Sequence, residues 1–455
     1  MKALAAAALI ALSAAGAAAQ NAPAVPSLPL AHPDAPAGAP LVLTLADALQ
    51  RAKQNEPAFL ASMADAANAE DDRVQAKASM LPAFGATTQY VGNQESPGLR
   101  TGRFVSMDGV NMYRAWLTAR QEISTNTFTG ALLRKADAAA EAAKAKLDVA
   151  QRGLVVTVTR NYYGLISAER KYATAQLAAQ QAQRFFDIAQ QQERLGQVAR
   201  SDVVKAEIAY RQQQQAFDES ALAMDNARLS LAVMIFPAFN ENFSVVDDMQ
   251  SAPALPPFAD VRAMAERGNP DLRAADALLR AAGEDVRISR TLLLPSLVID
   301  AMYGIEANEF ALHSSVAADP SLGVLPNLGY AVTVNLSVPL WDWGGLRSKL
   351  HQSETRQKQA QVTLSQAQRL LVSNLYSAYN EALAARASVD SLRRVAELAT
   401  ESLRLMTLRY EAGESTALEM VDAQNTLVQA RNLADDAEAR YRVAIAGLQT
   451  LTGTF

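Results

Sequence analysis

Hydrophobic and polar residues alternate in the stretch that begins at Tyr330. Every second residue from Tyr330 to Val338 is apolar, and the residues between them are alanine, threonine, asparagine and serine. A period of two places these two sets on opposite faces of a β-strand. Pro339 has no N–H to donate to a neighbouring strand, so it suits the strand's end. The pattern predicts a strand at 328–338 with one apolar face.

A very long helix is predicted directly after this strand. The pair Gly344 and Gly345 permits a sharp change of backbone direction, and the chain then becomes rich in alanine, glutamine and leucine with dispersed charges. Between Leu392 and Tyr410, apolar residues recur every three or four positions, as on one face of a helix. The predicted helix, 345–410, is about 100 Å long at 1.5 Å per residue. Such a helix needs partner helices along its length.

The same series of predicted elements occurs twice. Leu81-Pro82 recurs as Leu294-Pro295, and Tyr162 recurs as Tyr379 after a slightly longer interval, which fits loops of unequal length. We interpret the chain as two copies of one unit, 41–250 and 251–455. The predicted bounds are helix 43–80, strands 84–92 and 112–123, long helix 130–194 and return helix 200–235 in the first copy, and helix 257–293, strands 297–305 and 328–338, long helix 345–410 and return helix 416–451 in the second.

The N-terminus has the pattern of an export signal. Residues 1–19 contain Lys2, an apolar stretch and a small-residue cleavage site, which predicts a signal peptide. Residues 20–40 are proline-rich and predict an extended or disordered linker. No later stretch has the 18 or more apolar residues of a transmembrane helix. The mature protein is therefore predicted to be exported.

The composition excludes several kinds of function. The net charge of −5 provides no basic surface for nucleic acid. There are no cysteines, which excludes disulfides, thiolate metal sites and a catalytic thiol. The three histidines, His32, His313 and His351, fall on three different predicted elements and form neither a catalytic triad nor a metal site. We predict no enzyme activity, no cofactor and no metal.

The predicted strands suit a membrane but cannot close a barrel alone. Strands of about ten residues cross a bilayer when tilted. Membrane barrels start at about eight strands, and open sheet edges are not tolerated in lipid. Two copies would supply eight strands and three copies twelve, and the interior of an eight-stranded barrel is largely filled by side chains. We therefore predict a homotrimer embedded in outer-membrane lipid.

Two longer motifs flank the second long helix. They are VPLWDWGG at 338–345 and RYEAGESTALEMVDAQ at 409–424. With the repeated Leu-Pro, they resemble the TolC-like outer-membrane efflux protein family over essentially all of the mature chain. The resemblance implies a mainly α fold with a membrane β-barrel. In such a trimer, a 12-stranded outer-membrane β-barrel continues as a periplasmic α-helical barrel.

The resemblance also implies a function and partners. It implies a passive outer-membrane exit duct of a tripartite efflux pump, opened at its periplasmic tip by a periplasmic adaptor (membrane fusion) protein and an inner-membrane pump. The outer-membrane channel of a type I protein secretion system is one alternative. A soluble periplasmic coiled-coil structural protein is an alternative of another class; it accounts for the helices and the signal peptide but not for strands at matched places in both copies.

Acidic residues follow the predicted turn after the second long helix. Glu419 and Asp422 lie three apart on one helix face, and threefold symmetry would make each a ring that attracts cations. The resemblance places the family's periplasmic gate here. Asp202 and Lys205 are the first-copy counterparts. The family often has an arginine where this chain has Ser415, so the family's usual ion-pair latch is in doubt here, and an ion pair between Asp422 and Lys205 could substitute for it.

The two helix-to-helix turns are the predicted periplasmic tips. They contain Arg194, Leu195 and Gly196 in the first copy and Tyr410 and Gly413 in the second. The resemblance implies that these residues contact the adaptor. The glycines also suit the left-handed residue that ends many helices.

The junction between the last strand and the long helix is the third candidate site. It consists of Pro339, Trp341, Trp343, Gly344 and Gly345. Tryptophans at the end of a lipid-facing strand suit the aromatic girdle at a membrane interface. We predict that this junction lies at the periplasmic edge of the bilayer.

Overall fold

The computed structural model is mainly helical, with two very long helices along which shorter helices pack. It describes residues 40–92, 95–96, 99–102, 111–237, 242–251, 253–307, 309–314, 324, 326–412 and 414–453. The predicted signal peptide, residues 20–39 of the linker and Gly413 lie outside this part. The helices are α1 (Leu45–Asn55), α2 (Pro57–Ala78), α3 (Thr125–Thr129), α4 (Ala131–Arg194), α5 (Arg200–Ile235), α6 (Phe258–Gly268), α7 (Pro270–Thr291), α8 (Gly345–Glu411) and α9 (Ala417–Thr452).

The first predicted helix of each half is broken into two. Glu56 separates α1 from α2, and Asn269 separates α6 from α7; both have extended backbones. Each precedes a proline, Pro57 or Pro270, whose ring disfavours helical geometry in the residue before it. The prediction of one continuous helix in each half is therefore wrong. Proline instead opens a new helix, where its missing N–H is not needed.

Four long strands, β2 (Ala83–Gly92), β5 (Asn111–Ile123), β7 (Ser296–Ala307) and β8 (Leu328–Ser337), form one antiparallel sheet in the order β2–β5–β7–β8. Strands β5 and β7 join the two halves of the chain, and β2 and β8 are the edges. The long strands lie within two residues of the predicted bounds. The strands are β1 (Leu41–Leu43), β2 (Ala83–Gly92), β3 (Glu95–Ser96), β4 (Leu99–Gly102), β5 (Asn111–Ile123), β6 (Phe243–Val245), β7 (Ser296–Ala307) and β8 (Leu328–Ser337).

One face of this sheet is apolar and exposed. Leu117, Tyr303 and Tyr330 lie in register across three neighbouring strands, and all three are exposed. Phe84 on the edge strand β2 belongs to the same face and is 82% exposed. Because apolar side chains favour removal from water, this face requires a covering that the described residues of a single chain do not supply.

The opposite face of the sheet is polar. Arg114 forms an ion pair with Glu306 across β5 and β7 (2.8 Å), and its guanidinium lies over the Trp116 ring. Trp116, which breaks the alternation in the sequence, thus belongs to the polar face. It lies opposite Gly304, where a Cβ atom would come within 2.8 Å of the Trp116 Cα, so the close approach of the strands requires glycine there.

The long helices organise the rest of the fold. Helix α4 packs along α2, α5, α7 and α9, and α8 packs along α7 and α9. Midway along α4, the Tyr162 hydroxyl lies 3.1 Å from the Leu43 carbonyl, close to the short parallel pair β1–β6. In the second half, the Tyr379 hydroxyl donates to the Pro256 carbonyl (3.2 Å). Within the described residues, no helix has an apolar stretch long enough to cross a membrane.

Candidate functional site

The two helix-to-helix turns use the same backbone hydrogen bond. After α4, the Gln197 N–H donates to the Gln192 carbonyl (2.8 Å), and Gly196 has a positive φ of 71°. After α8, the Glu414 N–H donates to the Arg409 carbonyl (2.8 Å). This bond satisfies a carbonyl left free at the helix end and requires a left-handed residue beside it, which explains glycine at position 196. The two turns are therefore built alike.

A shared apolar cluster holds the ends of four helices together near these turns. Tyr410 of α8 packs edge-on against Phe185 of α4 (5.0 Å between ring centroids), and its hydroxyl donates to the Gln192 side chain (3.2 Å). Burial raises the pKa of Tyr410, and the Asp202 carboxylate adds to the effect. The cluster includes Phe185, Ala189, Val203, Ala206, Ala399, Leu403, Tyr410, Ala417, Met420, Ala423, Leu427 and Ala430.

This packing corrects one predicted tip residue. Tyr410 is buried between helices, so its side chain does not offer a surface to a partner. Arg194 and Leu195, in contrast, are exposed at the first turn. Leu195 is an apolar side chain that the turn leaves exposed. Contact of Arg194, Leu195 and Gly196 with an adaptor stays a prediction.

Glu419 caps the helix that it begins. Its carboxylate accepts from the Thr416 N–H (2.7 Å) and hydroxyl (3.2 Å), and the Thr416 hydroxyl accepts from the Glu419 N–H (3.3 Å). This reciprocal pair is a capping box. The backbone N–H of Thr416, followed by its hydroxyl, lowers the pKa of Glu419. The Thr-x-x-Glu spacing in the sequence is itself a signal for a helix start. The gate prediction did not include this capping role of Glu419.

The charges around Lys205 differ from the predicted latch. Lys205 pairs with Asp202 on its own helix (3.7 Å), so the single chain does not form the Asp422–Lys205 pair. The spacing of three on one helix makes the Asp202–Lys205 contact a local one. Asp422 is exposed and forms no ion pair with any described residue. Of the predicted gate residues, Asp422 therefore carries the least compensated negative charge.

Replacing Thr416 by alanine should weaken the start of α9. The variant loses the hydroxyl half of the capping box, which costs about 1 kcal/mol, and the first turn of α9 should fray. Hydrogen exchange at residues 417–420 measures this. The converse variant is Ala199→Thr at the start of α5. Ala199 makes no side-chain cap, and Asp202 lies three residues further on. A threonine at 199 can complete a capping box with Asp202, so hydrogen exchange at the start of α5 should slow. Equal exchange in Thr416→Ala and the parent protein would contradict the capping role.

The strand–helix junction is fully at the surface. Beyond Pro339, Trp341 and Trp343 are both exposed, with ring centroids 5.7 Å apart. Trp343 has a positive φ of 57°, which is unfavourable for an L-residue. Gly344 follows with φ 86°, and Gly345 begins α8.

Asp342 holds this junction together, and sequence reasoning missed it. Its carboxylate accepts from the backbone N–H groups of Gly344 and Leu346. It thereby satisfies two of the free N–H groups at the start of α8. The carboxylate fixes the turn that presents Trp341 and Trp343 side by side.

A cluster of charged residues fastens the long helices at mid-length. Arg170 of α4 pairs with Asp247 in the connection between the halves (2.6 Å), and with Asp435 (3.0 Å) and Glu438 (2.9 Å) of α9. Glu438 is 8% exposed and also pairs with Arg393 of α8 (2.7 Å). We call these five residues the waist cluster. It joins three helices and the connecting segment.

Burial alone would lower the pKa of Arg170. The hydrogen bonds to Asp247, Asp435 and Glu438 reverse that effect and raise the pKa above its ordinary value. At Asp435 burial dominates and raises the pKa, although Arg170 acts in the opposite direction. The cluster depends on Arg170 to offset the desolvation of two carboxylates. The carboxylates that pair with Arg170 lie 77, 265 and 268 residues from it along the chain. No local sequence pattern could therefore reveal the waist cluster.

The fold is shared with known outer-membrane channels. The CmeC outer membrane channel of Campylobacter jejuni superposes with a TM-score of 0.76 at 15% identity, covering 90% of this chain and 85% of CmeC. The open state of the MtrE outer membrane channel of Neisseria gonorrhoeae superposes with a TM-score of 0.73 at 19% identity, covering 90% and 88%. At these identities the likeness establishes the fold.

Sequence comparison extends over nearly the same length. The chain is 24% identical over 426 residues to OpmQ, a pyoverdine export outer membrane protein of Pseudomonas aeruginosa, covering 90% of this chain and 83% of OpmQ. It is 23% identical over 415 residues to the outer membrane protein TolC of Escherichia coli K12, covering 89% and 81%. The model of the outer membrane efflux protein family matches residues 48–235 and 261–454. The chain therefore belongs to the outer membrane efflux protein family.

Proposed function

We propose that three copies of this chain form a passive exit duct for a tripartite efflux pump. Three four-stranded sheets make a twelve-stranded barrel in the outer membrane, and the long helices continue it as a tube through the periplasm. An inner-membrane pump supplies the energy, and a periplasmic adaptor connects pump and duct. The observation that carries this proposal is the sheet, which has an exposed apolar face and two edges, β2 and β8, that no described strand pairs.

The sheet supports assembly in lipid for two reasons. Its apolar face, with Phe84, Leu117 and Tyr330, suits contact with acyl chains, whereas its other face carries the Arg114–Glu306 pair and suits a water-filled lumen. The edge strands β2 and β8 leave backbone groups unpaired, and lipid cannot satisfy them. Pairing with the edge strands of further copies would provide hydrogen-bond partners for the backbone groups of both β2 and β8.

The opposite end of the tube supports a gate. Threefold symmetry turns Asp422 into a ring of three carboxylates near the turns, with the capped Glu419 beside it. Such a ring attracts cations and repels anions at a constriction. The exposed Leu195 and Arg194 at the neighbouring turn suit docking of an adaptor, which would open the tip.

Small-molecule export is favoured over protein secretion by one relative. OpmQ is named for pyoverdine export and aligns over most of both chains. In this proposal the pump selects the cargo.

Purification in detergent followed by reconstitution tests the proposal. We expect a trimeric mass by light scattering and a cation-preferring conductance in planar bilayers. In cells, deletion of the gene should increase sensitivity to small toxic compounds, and the plasmid-borne gene should reverse it. A monomer in detergent, or a trimer without conductance in both resting and adaptor-bound form, would refute the duct. Loss of a secreted polypeptide with unchanged sensitivity would instead favour type I secretion.

A further inference from the structure

The two halves of the chain meet through contacts that a second copy can repeat. In the sheet, β5 of the first half pairs with β7 of the second, with Ile123 opposite Leu297. Below the sheet, α4 of the first half packs along α7 of the second, with Arg134 and Glu284 in an ion pair (3.0 Å). The corresponding elements at the outer ends, β8 and α8 on one side and β2 and α2 on the other, have no such partner in the described chain.

The structure defines which residues of the halves correspond. The bond from Tyr162 to Leu43 matches the bond from Tyr379 to Pro256. We call the interval in residue number from Leu43 to Pro256 the short offset, and the interval from Tyr162 to Tyr379 the long offset. Each offset converts a residue of the first half into its counterpart in the second.

The strand registers support the same offsets. Ala83 lies opposite Arg120 in the first half, and Ser296 lies opposite Ser337 in the second. Ala83 and Ser296 are separated by the short offset, and Arg120 and Ser337 by the long offset. The first helices and first strands thus correspond at the short offset, and the remaining strands and long helices at the long offset.

We propose that β8 of one protomer pairs with β2 of the next in the register that places Ser337 opposite Thr87, and that His351 of α8 faces Asp71 of α2 across the same interface. The occupant of both free edges is thus a second copy of this chain. The register follows from the contacts between the halves, where Arg120 of β5 lies opposite Asp300 of β7. The long offset carries Arg120 forward to Ser337. The short offset, taken in the reverse direction, carries Asp300 back to Thr87 of the next copy. This inference rests on the proposed trimeric duct and specifies its protomer interface.

The predicted register matches side chains of the same kind on each face. On the apolar face, the pair Ile123 and Leu297 corresponds by the two offsets to Leu340 of one copy and Phe84 of the next. Leu340 is 88% exposed and Phe84 is 82% exposed in the single chain. On the polar face, Asn335 falls opposite Gln89. A slip of one residue would exchange the two faces of one strand and put apolar side chains into the lumen. The alternation on both edges therefore excludes slips by an odd number of residues, and the contacts between the halves select the register among the even ones.

The helical part of the interface has complementary hydrogen-bonding groups. Glu284, the α7 residue that corresponds to Asp71, is only 13% exposed because α4 covers it. Asp71 on α2 is exposed and forms no ion pair with a described residue, and His351 on α8 is exposed as well. A second copy would cover Asp71 as α4 covers Glu284 and place an imidazole near the carboxylate.

Pairs of engineered cysteines test the register directly, because the natural chain has none. Thr87→Cys with Ser337→Cys should give covalent dimers and trimers on a non-reducing gel after oxidation or treatment with a short reagent that carries two thiol-reactive groups. Asp71→Cys with His351→Cys tests the helical contact in the same way. Within one chain, β2 and β8 are separated by two strands, about 14 Å, which exceeds the reach of a disulfide. Every link between the cysteines at positions 87 and 337 must therefore join two copies.

The matched control is Val91→Cys with Ser337→Cys, four residues out of register on the same face, which should remain uncrosslinked. Single-cysteine variants measure non-specific linkage. Links in the control pair but not in the predicted pair would overturn the register. A trimeric mass in detergent without links in either predicted pair would overturn the interface and leave the proposed duct intact. A monomeric mass in detergent would refute both the interface and the duct.

Discussion

Replacing Arg170 by alanine should lower the free energy of unfolding by about 3 kcal/mol, the lower end of the loss for breaking a buried ion pair. The lower end applies because the Arg170 side chain is 21% exposed and Glu438 keeps its bond to Arg393. Asp435, however, loses its partner while still largely covered by protein. Equilibrium unfolding in urea, followed by helical circular dichroism of the detergent-solubilised protein, measures the change.

An exposed ion pair on α8 provides the control for Arg170. Arg404 and Glu401 lie 2.6 Å apart, but both side chains are more than half exposed, so Arg404→Ala should change stability by less than about 1 kcal/mol. Adding Asp435→Asn to Arg170→Ala should recover part of the loss, because it removes the unpaired carboxylate. Equal effects of Arg170→Ala and Arg404→Ala would show that the waist cluster does not hold the helices together.

Replacing Asp422 by asparagine should reduce the cation preference of the reconstituted trimer. The variant removes one charge per protomer from the ring, and a charge close to a passing ion contributes about 1 kcal/mol in water. The ratio of cation to anion permeability should therefore fall roughly fivefold or more. Reversal potentials in planar bilayers under a salt gradient measure this ratio, and high salt should diminish the difference.

Two further variants separate the gate from general surface charge. Glu419→Gln keeps an oxygen that can accept from the Thr416 N–H. The charge that it removes is already partly balanced by the positive end of α9. Its effect on the permeability ratio should therefore be smaller than that of Asp422→Asn. Asp225→Asn removes an exposed carboxylate from the middle of α5 and should leave selectivity unchanged. An unchanged permeability ratio in a correctly assembled Asp422→Asn trimer would argue against the gate assignment.

Family membership confirms the resemblance drawn from the sequence motifs, and the protein is an outer-membrane protein. The alternative of a soluble coiled-coil protein is thereby set aside. It had already failed to account for strands at matched positions. The mainly helical fold likewise agrees with the channel structures, whereas the trimer and the barrel remain proposals.

Local patterns in the sequence determined the long helices and the four long strands. Helix and strand periods are properties of neighbouring residues, and Pro82, Pro295 and Pro339 interrupt them at identifiable points. The same proline rule, applied inside the first helices, would also have predicted the breaks before Pro57 and Pro270. The Thr416–Glu419 cap was visible too. Each of these features depends on residues at most a few positions apart.

Only the tertiary structure decided which charges are paired and which side chains are covered. Arg170 meets carboxylates from a connecting segment and from α9, far away along the chain, and Lys205 pairs with Asp202 rather than Asp422. Tyr410 lies at a turn in the sequence, yet Phe185 of another helix covers it. Pairing and burial depend on which helix faces lie together in space. One-dimensional periodicity defines such a face but does not name its partner.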